Sequence, residues 1–330
     1  MINRRTLLKS ILMGPLLGTS GSILSASSWS GDELETSPAT ALLFTAPDRI
    51  WIAMENQLIL ADWPNLSPLQ ALRLPTDKIF ALGSTSGSTS GRNVVAAGGV
   101  PGEAGHLFEI SGADLEVLWK REVGQDVLRC LDVSPSRDRI ATGGHDQKIY
   151  LWDLKSQASE PSDELTDHTG PVTGLLFLNA EQLVSASHDQ TLRVWQLQEQ
   201  RVLRSLQQHA GAIEGLTRLP DSPSGLPQCL SYARDKTVRI WQPTIGRQVR
   251  LARLPATGLS AVLDQDPQVV WIGGEQGEAY AVDFQTVQIL EQRQLSNAPL
   301  FSMARHQQEA TWLAGSGRGV TSVQKPAARE

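Results

Sequence analysis

Ile140-Ala-Thr-Gly-Gly-His-Asp-Gln-Lys-Ile-Tyr-Leu-Trp152 has two copies downstream, Leu183-Val-Ser-Ala-Ser-His-Asp-Gln-Thr-Leu-Arg-Val-Trp195 and Cys229-Leu-Ser-Tyr-Ala-Arg-Asp-Lys-Thr-Val-Arg-Ile-Trp241. The three align without a gap. Each places an Asp (Asp146, Asp189, Asp235) six positions before a Trp (Trp152, Trp195, Trp241). Each also places a hydroxyl residue (Thr142, Ser185, Ser231) four positions before that Asp. Polarity alternates on both sides of a short polar centre, as in two antiparallel strands joined by a tight turn.

Weaker copies lie outward on both sides. Hairpins are expected at Ile50 to Trp63, Val94 to Ile110, Val270 to Asp283 and Trp312 to Val323. The second of these is expected to carry an enlarged turn, Val100 to Gly105. Seven units fit between Ala41 and Gln324, at about 41 residues each, which is the period of a four-stranded unit.

Trp152-Asp153 is a Trp-Asp pair, and Trp195-Gln196 and Trp241-Gln242 are degenerate forms of it. These residues resemble the WD40 repeat family, strongly over 124–242 and by spacing elsewhere. The resemblance implies an all-β fold, a seven-bladed β-propeller of four-stranded antiparallel blades, over residues 28–330. It implies two structural hydrogen-bond tetrads, His168, Ser185, Asp189 and Trp195 in one unit and His209, Ser231, Asp235 and Trp241 in the next. A third set, Thr142, Asp146 and Trp152, lacks the histidine because Gly124 stands in its place. That network is expected to be incomplete or bridged by water. The last unit lacks an outer strand after Gln324, and a segment within Trp29 to Pro38 is expected to supply it.

Ser, His and Asp together suggest a hydrolase. A triad, however, needs one nucleophile in one strained site with an oxyanion hole. Here the set occurs twice, each time with a Trp, so it reads as repeated structure and no catalytic residue is assigned. The adjacent pairs His145-Asp146, Asp167-His168 and His188-Asp189 do not suit a metal, since neighbours on a strand point to opposite faces. No metal and no cofactor is expected. Cys130 and Cys229, the only cysteines, read as buried free thiols.

Lys+Arg number 29 and Asp+Glu 35, a net charge of -6. Arg4, Arg5 and Lys9 lie in the first 27 positions, which carry no acid, so the remainder is more acidic still. That balance argues against nucleic acid as the partner. The basic start, the apolar stretch Ile11 to Leu24 and the small residues Ser25-Ala26-Ser27 read as a signal peptide over 1–27. Arg4 and Arg5 resemble a bacterial twin-arginine signal. Export to the periplasm or beyond follows, with no stable membrane span.

By the same resemblance, one rim of the ring is built from two positions per unit. The turn before the shared Asp gives His145, His188 and Arg234, with Glu275 by looser alignment. The start of the innermost strand gives Phe80, Arg129, Thr173, Glu214, Ser260 and Phe301, with Leu43 in the first unit. Phe301, Leu43 and Phe80 are expected to form an apolar arc. The implied function is a non-enzymatic, monomeric scaffold for a protein partner. Leu107 to Lys120 and Ala279 to Phe284 resemble quinoprotein-like propellers, which leaves an envelope assembly factor or a cofactor-dependent enzyme as the alternative.

Overall fold

A strand with alternating polarity presents two faces, and in a stacked array each face is covered by a neighbouring unit. The computed structural model describes residues 22–24, 34, 36–86, 92–156 and 158–324. It is a seven-bladed β-propeller of antiparallel sheets. From the channel outward, blade 1 holds Ala39–Ala46, Arg49–Met54, Gln57–Asp62 and Pro68–Arg73. Blade 2 holds Lys78–Ser84, Val94–Val100, Ala104–Ile110 and Val117–Val123. Blade 3 holds Leu128–Val133, Arg139–Gly144, Ile149–Asp153 and the short Asp163–Leu165. Blade 4 holds Val172–Phe177, Gln182–Ser187, Leu192–Gln196 and Arg201–Leu206. Blade 5 holds Ile213–Leu219, Gln228–Ala233, Thr237–Gln242 and Arg247–Arg253. Blade 6 holds Gly258–Leu263, Val269–Gly274, Glu278–Asp283 and Gln288–Gln294. Blade 7 holds Leu300–Arg305, Thr311–Ser316 and Gly319–Gln324. The innermost strands touch in sequence from blade 1 to blade 7 and back to blade 1, so the ring is closed.

The core is divided among the seams. Seven apolar clusters are present, each built from two adjacent blades. Trp152, Trp195 and Trp241 each join the cluster shared with the preceding blade. The repeated Trp is thus the wedge that fastens one blade to the one before it, which accounts for the spacing seen in the sequence.

One detail differs from the sequence reading. The ladder of blade 2 runs on to Val100↔Ala104, so its turn is shorter than the enlarged one expected. Within Trp29 to Pro38, residues 36–38 are in no strand, and Leu34 is buried between blades 7 and 1 with Phe44, Ile50 and Leu313. Residues 29–33 and 35 lie outside the described residues, and with them most of the segment expected to supply the outer strand of blade 7. Among the described residues nothing pairs with the outer side of Gly319–Gln324. Ser22–Leu24 adds a fifth strand to blade 1, antiparallel to Pro68–Arg73. Arg4 and Arg5 lie outside the described residues. Among those described, no helix is long and apolar enough to cross a membrane.

Candidate functional site at the channel mouth

Every innermost strand carries a β-bulge near its start, and the extra residue is at the same place in all seven. It is Thr40, Phe80, Arg129, Thr173, Glu214, Leu259 and Phe301 in blades 1 to 7. A bulge re-aims the side chain it frees from the ladder. All seven line one cavity of about 420 Å³ at the mouth of the channel. The following residue is always small: Ala41, Ala81, Cys130, Gly174, Gly215, Ser260 and Ser302. Three hydroxyls of this layer stitch adjacent blades. Thr40 Oγ1 donates to Ile79 O at 2.6 Å, Thr173 Oγ1 to Ile213 O at 2.6 Å, and Ser260 Oγ to Leu300 O at 2.8 Å. The opposite strand comes close enough that a Cβ on Gly144 would stand 2.0 Å from Val127 O.

The turn between second and third strands belongs to the same rim. The backbone N–H of His145, His188, Arg234, Glu275 and Gly317 each donates to the segment just before its own innermost strand. Phe80, Arg129, Thr173, Glu214, Arg234 and Phe301 thus meet at one cavity. His145 and His188 stand beside it. Two expected positions are displaced. Blade 6 presents Leu259 and not Ser260, which is buried, and blade 1 presents Thr40, while Leu43 packs into the core between blades 1 and 2. The apolar arc is therefore Leu259 and Phe301, separated from Phe80 by the hydroxyl of Thr40.

Charge is distributed unevenly around this ring. Lys78 Nζ and the Arg129 guanidinium lie 5.4 and 5.2 Å from the centre of the Phe80 ring. Across the channel, Arg234 Nε is bonded to Glu214 Oε1, and His188 Nε2 stands 3.6 Å from Glu214 Oε2. Burial pushes the Glu214 carboxyl up, but these two neighbours outweigh it and hold it below the usual carboxylate range. The His145 imidazole is held below its ordinary value by burial, then by the nearby Arg129 charge.

Away from the mouth, the two repeated constellations are continuous hydrogen-bond chains. In blade 4, Trp195 Nε1 donates to Ser185 Oγ at 2.8 Å, and Ser185 Oγ lies 2.6 Å from His168 Nε2. His168 Nδ1 lies 2.7 Å from Asp189 Oδ2. In blade 5 the corresponding distances are 2.8, 2.7 and 2.9 Å through Trp241, Ser231, His209 and Asp235. Because each serine oxygen accepts from an indole, its own proton goes to Nε2, and the imidazole donates from Nδ1 to the carboxylate. The serine side chains are fully buried, both residues being 0% exposed, so a substrate has no path to them in this structure. Each carboxylate also accepts from the backbone N–H after the histidine and from the Thr two positions after the Asp.

Blade 3 solves the same problem without a histidine. Trp152 Nε1 donates to Thr142 Oγ1 at 3.0 Å, and the Tyr150 hydroxyl donates to Asp146 Oδ2 at 2.7 Å. A Cβ on Gly124 would stand 2.0 Å from that carboxylate oxygen and 2.9 Å from the phenol oxygen. Tyr150 therefore takes up the space that an imidazole has in the next two blades. Its pairing with Thr142 across the hairpin was readable only once the register was known. Both cysteines are buried and free, and burial raises both thiols, that of Cys229 to about 12. Among the described residues no group of three or more His, Cys, Asp or Glu is placed to hold a metal.

The carboxylates give the fold a defined acid response. Asp189 and Asp235 are held below the usual range because hydrogen bonds from the histidines, threonines and backbone exceed the opposing effect of burial. A depressed carboxyl contributes stability that is present above its unfolded value and lost as pH falls through the folded one. Burial instead pushes Asp132 up to about 7, against the backbone N–H of Phe177 and the charge of Arg218. Its contribution has the opposite sign: it is present at low pH and lost as pH rises toward 7. The melting temperature is expected to fall steeply below about pH 4. Asp132→Asn is expected to be more stable than the parent by about 2 kcal/mol above pH 7, with the gap closing below pH 4. Calorimetry across that range checks both signs.

The WD40 family model, described as WD domain, G-beta repeat, matches residues 121–153 and 159–196. Each match runs from the outer strand of one blade through the three inner strands of the next. Two stretches of the chain match this repeat model. Over longer spans it is 22% identical to Serine-threonine kinase receptor-associated protein of Gallus gallus, across 64% of this chain and 57% of the relative. It is 29% identical to p21-activated protein kinase-interacting protein 1-like of Danio rerio, across 46% of this chain and 36% of the relative. To Coronin-7 of Rattus norvegicus it is 35% identical, across 32% of this chain and 12% of the relative. The chain thus spans less than two thirds of the length of the curated relatives it matches. The two matched stretches centre on blades 3 and 4, where the tyrosine variant and one complete tetrad lie side by side.

Proposed function

We propose that this protein is a non-enzymatic scaffold that docks a protein partner over the mouth of its central channel. The observation that carries the reading is the convergence of seven bulged side chains on one cavity, with Phe301 42% exposed at its rim. An exposed aromatic beside paired and unpaired charges has the composition of an interaction centre. Two of the relatives are named for association with other proteins, which agrees with this role. The tetrads then serve to hold the blades that present the rim.

We further infer export from a bacterial cell, on the strength of Arg4, Arg5 and the apolar stretch after them. Cleavage after Ser27 would remove Ser22–Leu24 and leave blade 1 with its own four strands. Amine-reactive cross-linking in native envelope, followed by mass spectrometry, tests both parts. Partner cross-links are expected at Lys78, which lines the cavity, and the mature N-terminus is expected near residue 28. Cross-links confined to Lys120 and Lys155, far from the mouth, would overturn the docking face. Phe80→Asp combined with Phe301→Asp is expected to abolish the Lys78 cross-links while the melting temperature holds.

A further inference from the structure

The cavity is chemically polarised. In a ring of seven, blade 3 stands opposite blades 6 and 7. The Arg129 guanidinium therefore faces Leu259 and Phe301 across the channel. Lys78 and Arg129 flank Phe80, and among the described residues neither has a carboxylate partner or a side-chain hydrogen bond. The only carboxylate in the lining, Glu214, is 6% exposed at its side chain and already bonded to Arg234. What the mouth presents outward is thus two unneutralised cations on one side and two large apolar side chains on the other. This occurs on a chain whose net charge is -6, so the positive rim is a local feature.

We propose that the mouth recognises a peptide carrying a carboxylate close to a large apolar side chain. This proposal rests on the docking face described above. The carboxylate comes to lie between Lys78 and Arg129, where charge-assisted hydrogen bonds are available. The apolar side chain covers Phe301 and Leu259. Phe80 sits under the two cations and keeps them over the opening, since an aromatic face holds a cation by its quadrupole. A cavity of about 420 Å³ is the size of a site for a few side chains, not for a folded domain. The carboxylate has two sources, an Asp or Glu side chain or the end of a chain, and both present the same group.

Fluorescence anisotropy on the purified full chain separates these. The probes are labelled Gly/Ser-rich peptides of equal length. The first contains Phe-Gly-Asp and has an amidated end. The second ends in Phe with a free carboxylate. The third contains Phe-Gly-Asn and the fourth Ala-Gly-Asp, both amidated. The first or the second is expected to bind about 10-fold more tightly than the third and fourth, and which of the two does so identifies the source. Arg129→Gln and Lys78→Gln are each expected to weaken that peptide about 10-fold. Phe301→Ser is expected to erase the preference for Phe over Ala. These side chains make no hydrogen bond in the structure, so an unchanged melting temperature confirms that each variant is folded. Equal affinity for all four peptides, or indifference to Arg129→Gln, would overturn the proposal. If that happens while native partners still cross-link to Lys78, the docking face stands and the carboxylate reading alone falls. If Lys78 cross-links are absent as well, both fall.

Discussion

His209→Ala is expected to lower the melting temperature by roughly 6 °C, one of the two largest losses anticipated for a single substitution in this fold. The imidazole is buried and bridges Ser231 Oγ at 2.7 Å to Asp235 Oδ2 at 2.9 Å. Removing it leaves a buried hydroxyl and a nearly buried carboxylate without their shared partner. Leaving both groups short of a partner costs about 3–5 kcal/mol in total, at about 1–3 kcal/mol for the hydroxyl and more for the charged carboxylate. At about 2.1 cal/mol/K of unfolding entropy per residue, a ~300-residue fold loses about 1.6 °C per kcal/mol. The backbone N–H of Ala210 and the Thr237 hydroxyl still hold Asp235, so the loss stays near the middle of that range. His209→Gln, which can donate but not bridge both groups, is expected to recover less than half. Peptide binding at the mouth is expected to be unchanged, because His209 does not line the cavity. A melting temperature within 1 °C of the parent would remove the tetrad from the account of stability.

The sequence made the fold legible wherever a blade used the Asp-to-Trp hairpin, and blades 3, 4 and 5 follow the three quoted segments residue for residue. Blades 1, 2, 6 and 7 were found by alternation alone, and their hairpins lie where alternation put them. The candidate site was legible to within a register. Phe80, Arg129, Thr173, Glu214 and Phe301 are bulge residues, whereas Ser260 is one residue past the bulge and Leu43 three past it. A bulge adds one residue to one strand and inverts the facing of everything beyond it. The seven bulge residues share neither size nor charge, so no side-chain pattern marks them directly. The small residue that follows each of them is the signal that would have located Leu259 and Thr40. Tyr150 was missed for another reason. It stands in for a histidine from the loop before the innermost strand, and only the pairing of Thr142 with Tyr150 brings the phenol to Asp146.

His306→Ala is expected to open the ring at the one seam where the two ends of the described chain meet. Blades 7 and 1 are far apart in sequence, and among the described residues no strand of one completes the sheet of the other. Closure rests on the shared apolar cluster and on a few polar contacts across it. His306 supplies the central ones. Its Nε2–H donates to Pro47 O at 2.7 Å, while Nδ1 accepts from the backbone N–H of Glu309 at 2.9 Å and of Gln308 at 3.3 Å. The ring is stacked on Trp63 at 5.5 Å and meets Phe44 edge-on at 5.2 Å. Trp63 Nε1 in turn donates to Glu309 Oε2 at 3.0 Å, so the loop of blade 7 is held to blade 1 twice. Alanine takes the imidazole donor from the Pro47 carbonyl, at about 0.5–1.5 kcal/mol, and frees the loop that the imidazole had fixed. It also leaves a void beside two aromatic rings, at about 24 cal/mol per Å³ of cavity. Together these amount to a few kcal/mol, and they fall on a single interface. Hydrogen exchange is the discriminating measurement. Amides of Leu300–Arg305 and Ala39–Ala46 are expected to exchange at least 10-fold faster, while those of Val172–Phe177, across the ring, keep their protection until global unfolding. Equal acceleration in all three strands would mean that the ring yields as one unit and that this seam is no weaker than the others.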